Sequence, residues 1–308
     1  MASELFTLTV ADGTGIATRK WLPAGEAKAV VLIAHGMAEH AARYESFAGL
    51  LNDHGYAVYA PDHRGHGETA KLGEMLGHFA DSNGWATVVE DLAALVAHIR
   101  AEHPGVKVFY FGHSMGSMLG RSFAIAHGKE IDGLVLSGTA GDPGALGAVG
   151  MTIAKVEARL RGKRFVSKLM NALTFGQYNA AFKPARTEFD WLSRDNAEVD
   201  KYVADPWCGN IHTSGFFVDI LTGLNQINSA SEVARIPADL PVYCYAGAMD
   251  PVAGKNAAGA RGVAQQMRAA GVREVSEKYY DDARHEVHNE TNRDEVLADV
   301  IAWFDAHL

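Results

Sequence analysis

Six short apolar runs, separated by helical patterns, restrict this chain to few architectures. They are "AVVLIA" (29–34), "YAVYA" (56–60), "VKVFYF" (106–111), "DGLVLS" (132–137), "PVYCYA" (241–246) and "VSEKYY" (275–280). Several are apolar at consecutive positions, which suits a strand covered on both faces. Helices are expected over 44–54 closed by Gly55, over 85–102 stopped by "HPG", and over 117–127 closed by Gly128. In the second, Val88, Leu92, Leu95 and Ile99 share one face. Ahead of them, "LFTLTV" and "GIATRKW" joined through "ADGT" read as an antiparallel hairpin. The pattern is α/β, with a mostly parallel central sheet flanked by helices.

The alternation breaks once. From 140 to 229 the chain shows helical patterns and no convincing strand, far more than a strand-to-strand connection needs. At 308 residues the chain is long for one core and short for two, so 140–229 reads as a helical cap inserted into a core made of 1–139 and 230–308. In its first helix, "ALGAVGMTIAKVEARLR", Leu146, Val149, Ile153, Val156 and Leu160 form one stripe, with Lys155, Glu157, Arg159 and Arg161 mostly away from it.

Twenty-eight Lys and Arg against 37 Asp and Glu leave a net charge of −9, so nucleic acid is not an expected partner. "MASELFTLTVADGTG" has neither a basic start nor an apolar h-region and does not read as a signal peptide. Cys208 and Cys244 fit no metal spacing and build no disulfide framework, which points to a reducing cytoplasm. "DHRGHG" (62–67) offers Asp62, His63 and His66, but zinc needs further ligands in defined geometry, so no metal or cofactor is expected there or elsewhere.

Gly112-His113-Ser114-Met115-Gly116 follows one apolar run directly and opens a helical pattern. That is the context a nucleophile elbow requires: the serine takes a strained backbone, its hydroxyl projects above the sheet, and the glycines let strand and helix approach. A serine hydroxyl is a poor nucleophile until a base takes its proton, and the base needs an orienting carboxylate. Asp250 sits just past "PVYCYA" in a Gly-Ala-Met-Asp-Pro turn, and His285 follows the last strand; both fit the order serine, acid, histidine. The oxyanion hole calls for the amide of Met115 and one from the loop "AHGMAEH", where Met37 is the candidate.

"HGMAEHAARY", "APDHRGHGET", "GHSMGS", "GAMDPV" and "RHEVHNE" together resemble the monoacylglycerol lipase and lysophospholipase branch of the α/β-hydrolases, grouped with serine aminopeptidase-like hydrolases. "FGQYNAAFKPARTEFDWLSRD" and "VDKYVADPWCG" are similar to the cap of bacterial members. The resemblance implies an α/β-hydrolase fold and a cofactor-free serine ester hydrolase acting on acyl glycerols, its cap covering an acyl tunnel. It implies Ser114, Asp250 and His285 as the triad, Met37 and Met115 as oxyanion donors, and Glu39, Arg43 and His288 lining a polar pocket for glycerol. The implied partners are a small lipid ester and transient contact of the cap with a membrane or micelle. Ser117 departs from the more usual "GHSMGG".

Phe175, Tyr178, Phe182, Trp191 and Trp207 are read as cap core or as ligand wall, both of which want apolar side chains. Lysophospholipase or general carboxylesterase activity is the neighbouring alternative. An aminopeptidase would need cap carboxylates such as Glu188, Asp190, Asp195 or Asp200 to hold a substrate amine. A non-catalytic binding module would have no use for three triad members in order.

Overall fold

Every apolar run forms a strand. A computed structural model describes residues 3–73 and 75–308; Met1 and Ala2, which begin the amino-terminal stretch read above, lie outside the described residues. The strands are β1 (Glu4–Thr9), β2 (Gly15–Trp21), β3 (Ala29–Ala34), β4 (Tyr56–Pro61), β5 (Lys107–His113), β6 (Gly133–Ser137), β7 (Val242–Gly247) and β8 (Val275–Tyr280). They make one eight-stranded sheet in the order β1-β2-β4-β3-β5-β6-β7-β8. β1 and β2 form the antiparallel hairpin and β2 joins β4 antiparallel; every other pairing is parallel.

The helices are α1 (Glu45–Asp53), α2 (Gly67–Lys71), α3 (Gly84–Glu102), α4 (Met115–His127), α5 (Gly144–Arg161), α6 (Lys168–Tyr178), α7 (Asn196–Ala204), α8 (Ser214–Ile227), α9 (Ala230–Val233), α10 (Ala258–Ala269) and α11 (Arg293–Ala306). Val88, Leu92, Leu95 and Ile99 of α3 enter the apolar core on one face of the sheet with residues of α4 and α10. Phe47 and Leu51 of α1 join Val296, Val300 and Phe304 of α11 on the other. With both faces covered, the middle strands β3, β4, β6 and β7 are buried throughout, which is why they are apolar without alternation.

Between β6 and β7 the named elements are α5 to α9. α5 packs on α8, and α8 rests on α3 and α4. Gly147 and Ala154 are the buried residues of α5, whereas Leu146 and Leu160 of the stripe are 83% and 78% exposed. Ile153, in the middle of the stripe, packs against the core.

Arg121, on α4, is buried and holds both ends of this helical segment. Its Nη1 donates to the Ala140 carbonyl at 2.8 Å, and its Nη2 donates to the Ile227 carbonyl and the Asn228 side-chain oxygen, each at 2.8 Å. Burial pushes its pKa down to about 10, which leaves it a cation at neutral pH.

Candidate active site

β5 ends and α4 begins with one residue between them, Ser114, whose backbone sits at φ 52° and ψ −118°. A non-glycine residue at positive φ is strained, and here its neighbours hold it. Its N–H donates to the Ser137 carbonyl of β6 at 2.9 Å, and its carbonyl accepts from Ser117 N–H at 2.9 Å and Ser117 Oγ at 2.5 Å. The Ser117 hydroxyl, the departure from the usual glycine, thus ties down the elbow. Both glycines are required by close approach. A Cβ on Gly116 would stand 2.0 Å from the Ala34 carbonyl oxygen, and one on Gly112 would stand 2.4 Å from that of Gly116.

Asp250 lies in the turn after β7 and His285 in the loop after β8, adjacent parallel strands. His285 Nδ1 and Asp250 Oδ1 are 2.9 Å apart, and Val252 N–H donates to the same oxygen at 2.8 Å. The bond assigns the ring proton to Nδ1 and leaves Nε2 basic. The imidazole is sandwiched between rings, with centroids 4.6 Å from His113 and 5.1 Å from Trp191. Burial alone would lower its pKa; the charge and hydrogen bond of Asp250, with the charges of Glu286 and Glu39, together outweigh it and the net direction is upward. His288 differs. Stacked on Tyr44 at 5.1 Å and edge-on to His113, it is pushed by burial down to about 4.

Met37 lies in the loop after β3, and Met115 is the first residue of α4, where helix amides lack internal partners. The loop is braced from below. Glu39 Oε1 accepts from Gly36 N–H and from Tyr44 OH, and Arg43 donates to Glu39 and, through both terminal nitrogens, to Glu286 at 2.6 and 2.8 Å. His35 also holds the loop: its Nε2 accepts from His63 N–H at 3.0 Å, so Nδ1 carries the proton toward the Gly36 carbonyl at 2.7 Å. "DHRGHG" is committed to this bracing. The Asp62 carboxylate accepts from the amides of Ala41 and Glu68, each at 2.7 Å, and His66 Nδ1 donates to the Arg64 carbonyl.

A cavity of about 710 Å³ opens over Ser114, bounded by Met37, Met115, Glu39, Glu286 and His285 at its polar end. Away from it the wall is apolar, with Met118, Ile153, Met170, Leu173, Phe217 and Leu224 contributed by α4, α5, α6 and α8. Of the three residues expected to line a polar pocket, Glu39 does so. Arg43 and His288 stand behind the wall, because the guanidinium is taken up by two carboxylates and the imidazole by ring stacking. Among the described residues no lysine or arginine lines the cavity.

The cap aromatics divide. Phe175, Tyr178 and Trp191 pack on one another and also face the cavity, so core and wall are one role. Phe182 lies under Arg284, and Trp207 under Lys71. Glu286 at the polar end is not singled out by the sequence, whereas Trp191, read there as cap core or ligand wall, lies against the catalytic imidazole. Glu286 is adjacent to His285 in "RHEVHNE", a usable signal; Trp191 reaches the site only because its carbonyl and that of Leu192 accept from the amides of His285 and Glu286. A hydroxyl on a strained elbow, an imidazole oriented by a carboxylate, and amides facing one apolar cavity can together perform acyl transfer.

Residues 25–292 match the family model described as serine aminopeptidase, S33. A monoacylglycerol lipase of Mycolicibacterium smegmatis is 31% identical over 96% of this chain and 95% of its own length. The human monoglyceride lipase is 28% identical over 93% of this chain and 85% of its own. A solved thermostable carboxyl esterase from Bacillus coagulans, in complex with glycerol, superposes with a TM-score of 0.91 at 27% identity, covering 99% of both chains.

Proposed function

The chain belongs to the serine aminopeptidase S33 family of α/β-hydrolases, and from that premise we propose that it hydrolyses monoacylglycerols through an acyl-enzyme. Ser114 Oγ attacks the ester carbonyl while His285 Nε2 takes its proton, and Asp250 steadies the imidazolium through Nδ1. The amides of Met37 and Met115 receive the developing oxyanion, a donor of this kind being worth about 10²–10³ in kcat. His285 returns the proton to the departing glycerol oxygen. Water then repeats the sequence on the acyl-serine and frees the fatty acid.

The observation that carries the choice of alcohol is the charge of the polar end. Glu39 and Glu286 border it with their carboxylates held by Arg43, and among the described residues no lysine or arginine lines the cavity. Carboxylates accept from the hydroxyls of glycerol, whereas a lysophospholipid phosphate would meet anionic oxygens with no free cation. Of the cap carboxylates that an aminopeptidase would use, Asp190 is committed to the amides of Arg186 and Thr187, Asp195 to Arg293 and Asp200 to Arg186, while Glu188 is exposed and does not line the cavity. Transient docking on lipid aggregates is assigned to the cap face bearing Leu146 and Leu160. Among the described residues no helix is long and apolar enough to cross a membrane.

Kinetics on matched acyl chains test the reading. Monoacylglycerol is expected to exceed lysophosphatidylcholine in kcat/KM by at least tenfold, and Glu39→Gln to narrow that ratio. A preference for the lysophospholipid, or equal rates, overturns the substrate assignment while leaving the hydrolase chemistry in place.

A further inference from the structure

Outside the catalytic cavity, where the segment between α7 and α8 meets the loop after β3, three potential metal donors converge. His40 Nε2 lies 2.9 Å from Asp205 Oδ2, and these atoms and Cys208 Sγ are all within 4.8 Å of one another. His40 and Asp205 are 165 positions apart, so spacing in the sequence gives no hint of the group. We propose that His40, Asp205 and Cys208 form a binding site for a single zinc-class divalent cation.

The donors are already arranged for it. Asp205-Pro206-Trp207-Cys208 is a tight turn in which Asp205 Oδ1 accepts from Trp207 N–H at 2.8 Å and Cys208 N–H donates to the Asp205 carbonyl at 3.1 Å. The turn presents Oδ2 and Sγ to the same side and leaves Oδ2 for His40. The turn is fixed to the opposite loop by Gly209 N–H and Tyr202 OH, which both donate to the Ala38 carbonyl. Tetrahedral zinc, with bonds of about 2.0–2.3 Å, wants its ligand atoms roughly 3.3–3.8 Å apart, so on binding the His40–Asp205 pair, now at 2.9 Å, opens by about half an ångström and Cys208 Sγ, within 4.8 Å of both, draws in by up to about one. All three residues are half-buried, open enough for an ion to enter and for water to take the fourth position.

Chemistry and charge both match. Imidazole, carboxylate and thiolate are a borderline-soft set that favours zinc over magnesium or calcium. On binding, Cys208 releases its thiol proton to solvent, and one dication then meets one carboxylate and one thiolate, a neutral site. Arg43, the neighbouring cation, is offset by Glu39 and Glu286. A bound ion would cross-link the α7–α8 connection to the loop that carries Met37.

The untagged, chelator-treated protein titrated with cobalt(II), followed by visible and near-ultraviolet absorption, tests the site. One equivalent is expected to bind with tetrahedral d–d bands and a sulfur-to-cobalt charge-transfer band, and zinc(II) should displace it. Cys208→Ser should abolish the charge-transfer band. His40→Ala and Asp205→Asn should weaken binding about tenfold to a hundredfold each, with hydrolysis of a short soluble ester reporting that the variants are folded. Failure of the wild-type protein to bind cobalt, octahedral bands without thiolate character, or a spectrum unchanged in Cys208→Ser would each overturn the proposal. Loss of ester hydrolysis in the wild type would bear on the catalytic reading alone.

Discussion

The three residues assigned to the chemistry differ in what their removal should cost. Ser114→Ala removes the nucleophile and is expected to lower kcat by about 10⁶, with a melting temperature close to that of the parent because the hydroxyl is not part of the core. His285→Ala should be comparably severe and Asp250→Asn milder, about 10⁴, since the carboxylate moves no proton to substrate. The pH profile separates orientation from proton transfer. Only the neutral imidazole can act as base, and Asp250 holds the His285 pKa above the ordinary 6.5, so the acid limb of kcat/KM should lie above 6.5. In Asp250→Asn the residual activity should keep its limb at a lower pH. A limb that stays in place would show that this carboxylate does not set the base. His288 cannot substitute, because burial makes it a weak base, at about 4, and it lies stacked on Tyr44 rather than on the cavity wall.

At the scale of elements, the sheet was readable and the cap much less so, for one reason. A strand covered on both faces must be apolar whatever packs on it, so β3 to β7 announce themselves, and the elbow follows because Gly112 and Gly116 are demanded by backbone contact. An apolar stripe on a helix does not say what lies opposite it. On α5 Leu146, Val149 and Ile153 line the cavity, and Val156 and Leu160 continue along an exposed groove with Val166 and Leu169. Placement of Arg43 and His288 behind the wall, and of Trp191 against His285, depends on contacts between distant segments that no local pattern encodes. If the exposed stripe is the lipid-facing side of the cap, Leu146→Asp with Leu160→Asp should reduce activity on micellar monoacylglycerol several-fold and leave hydrolysis of a short soluble ester unchanged. Equal effects on both substrates would reject the assignment.

For the molecule as a whole, the buried histidines make stability depend on acid. Burial holds His63 to about 3 and His66 and His288 to about 4, and pushes His35, His113 and His212 well below the ordinary value. Below pH 6.5 the unfolded chain takes up protons that the folded one refuses, so stability falls with falling pH until the folded values are reached; each such group costs about 2 kcal/mol at pH 5. His285 and the partly buried His127, with their raised pKa values, work in the opposite sense, but they are outnumbered. The urea midpoint should therefore drop steeply from pH 7 to pH 5, with a slope of more than one proton, and a flat profile would contradict it. Arg121 has a different bearing on the whole. One guanidinium ties the loop after β6 to the carboxyl end of α8, so the helices between them leave and rejoin the body of the protein at a single clasp. None of the eight strands lies between those two points, so the order of the sheet does not depend on what the clasp encloses.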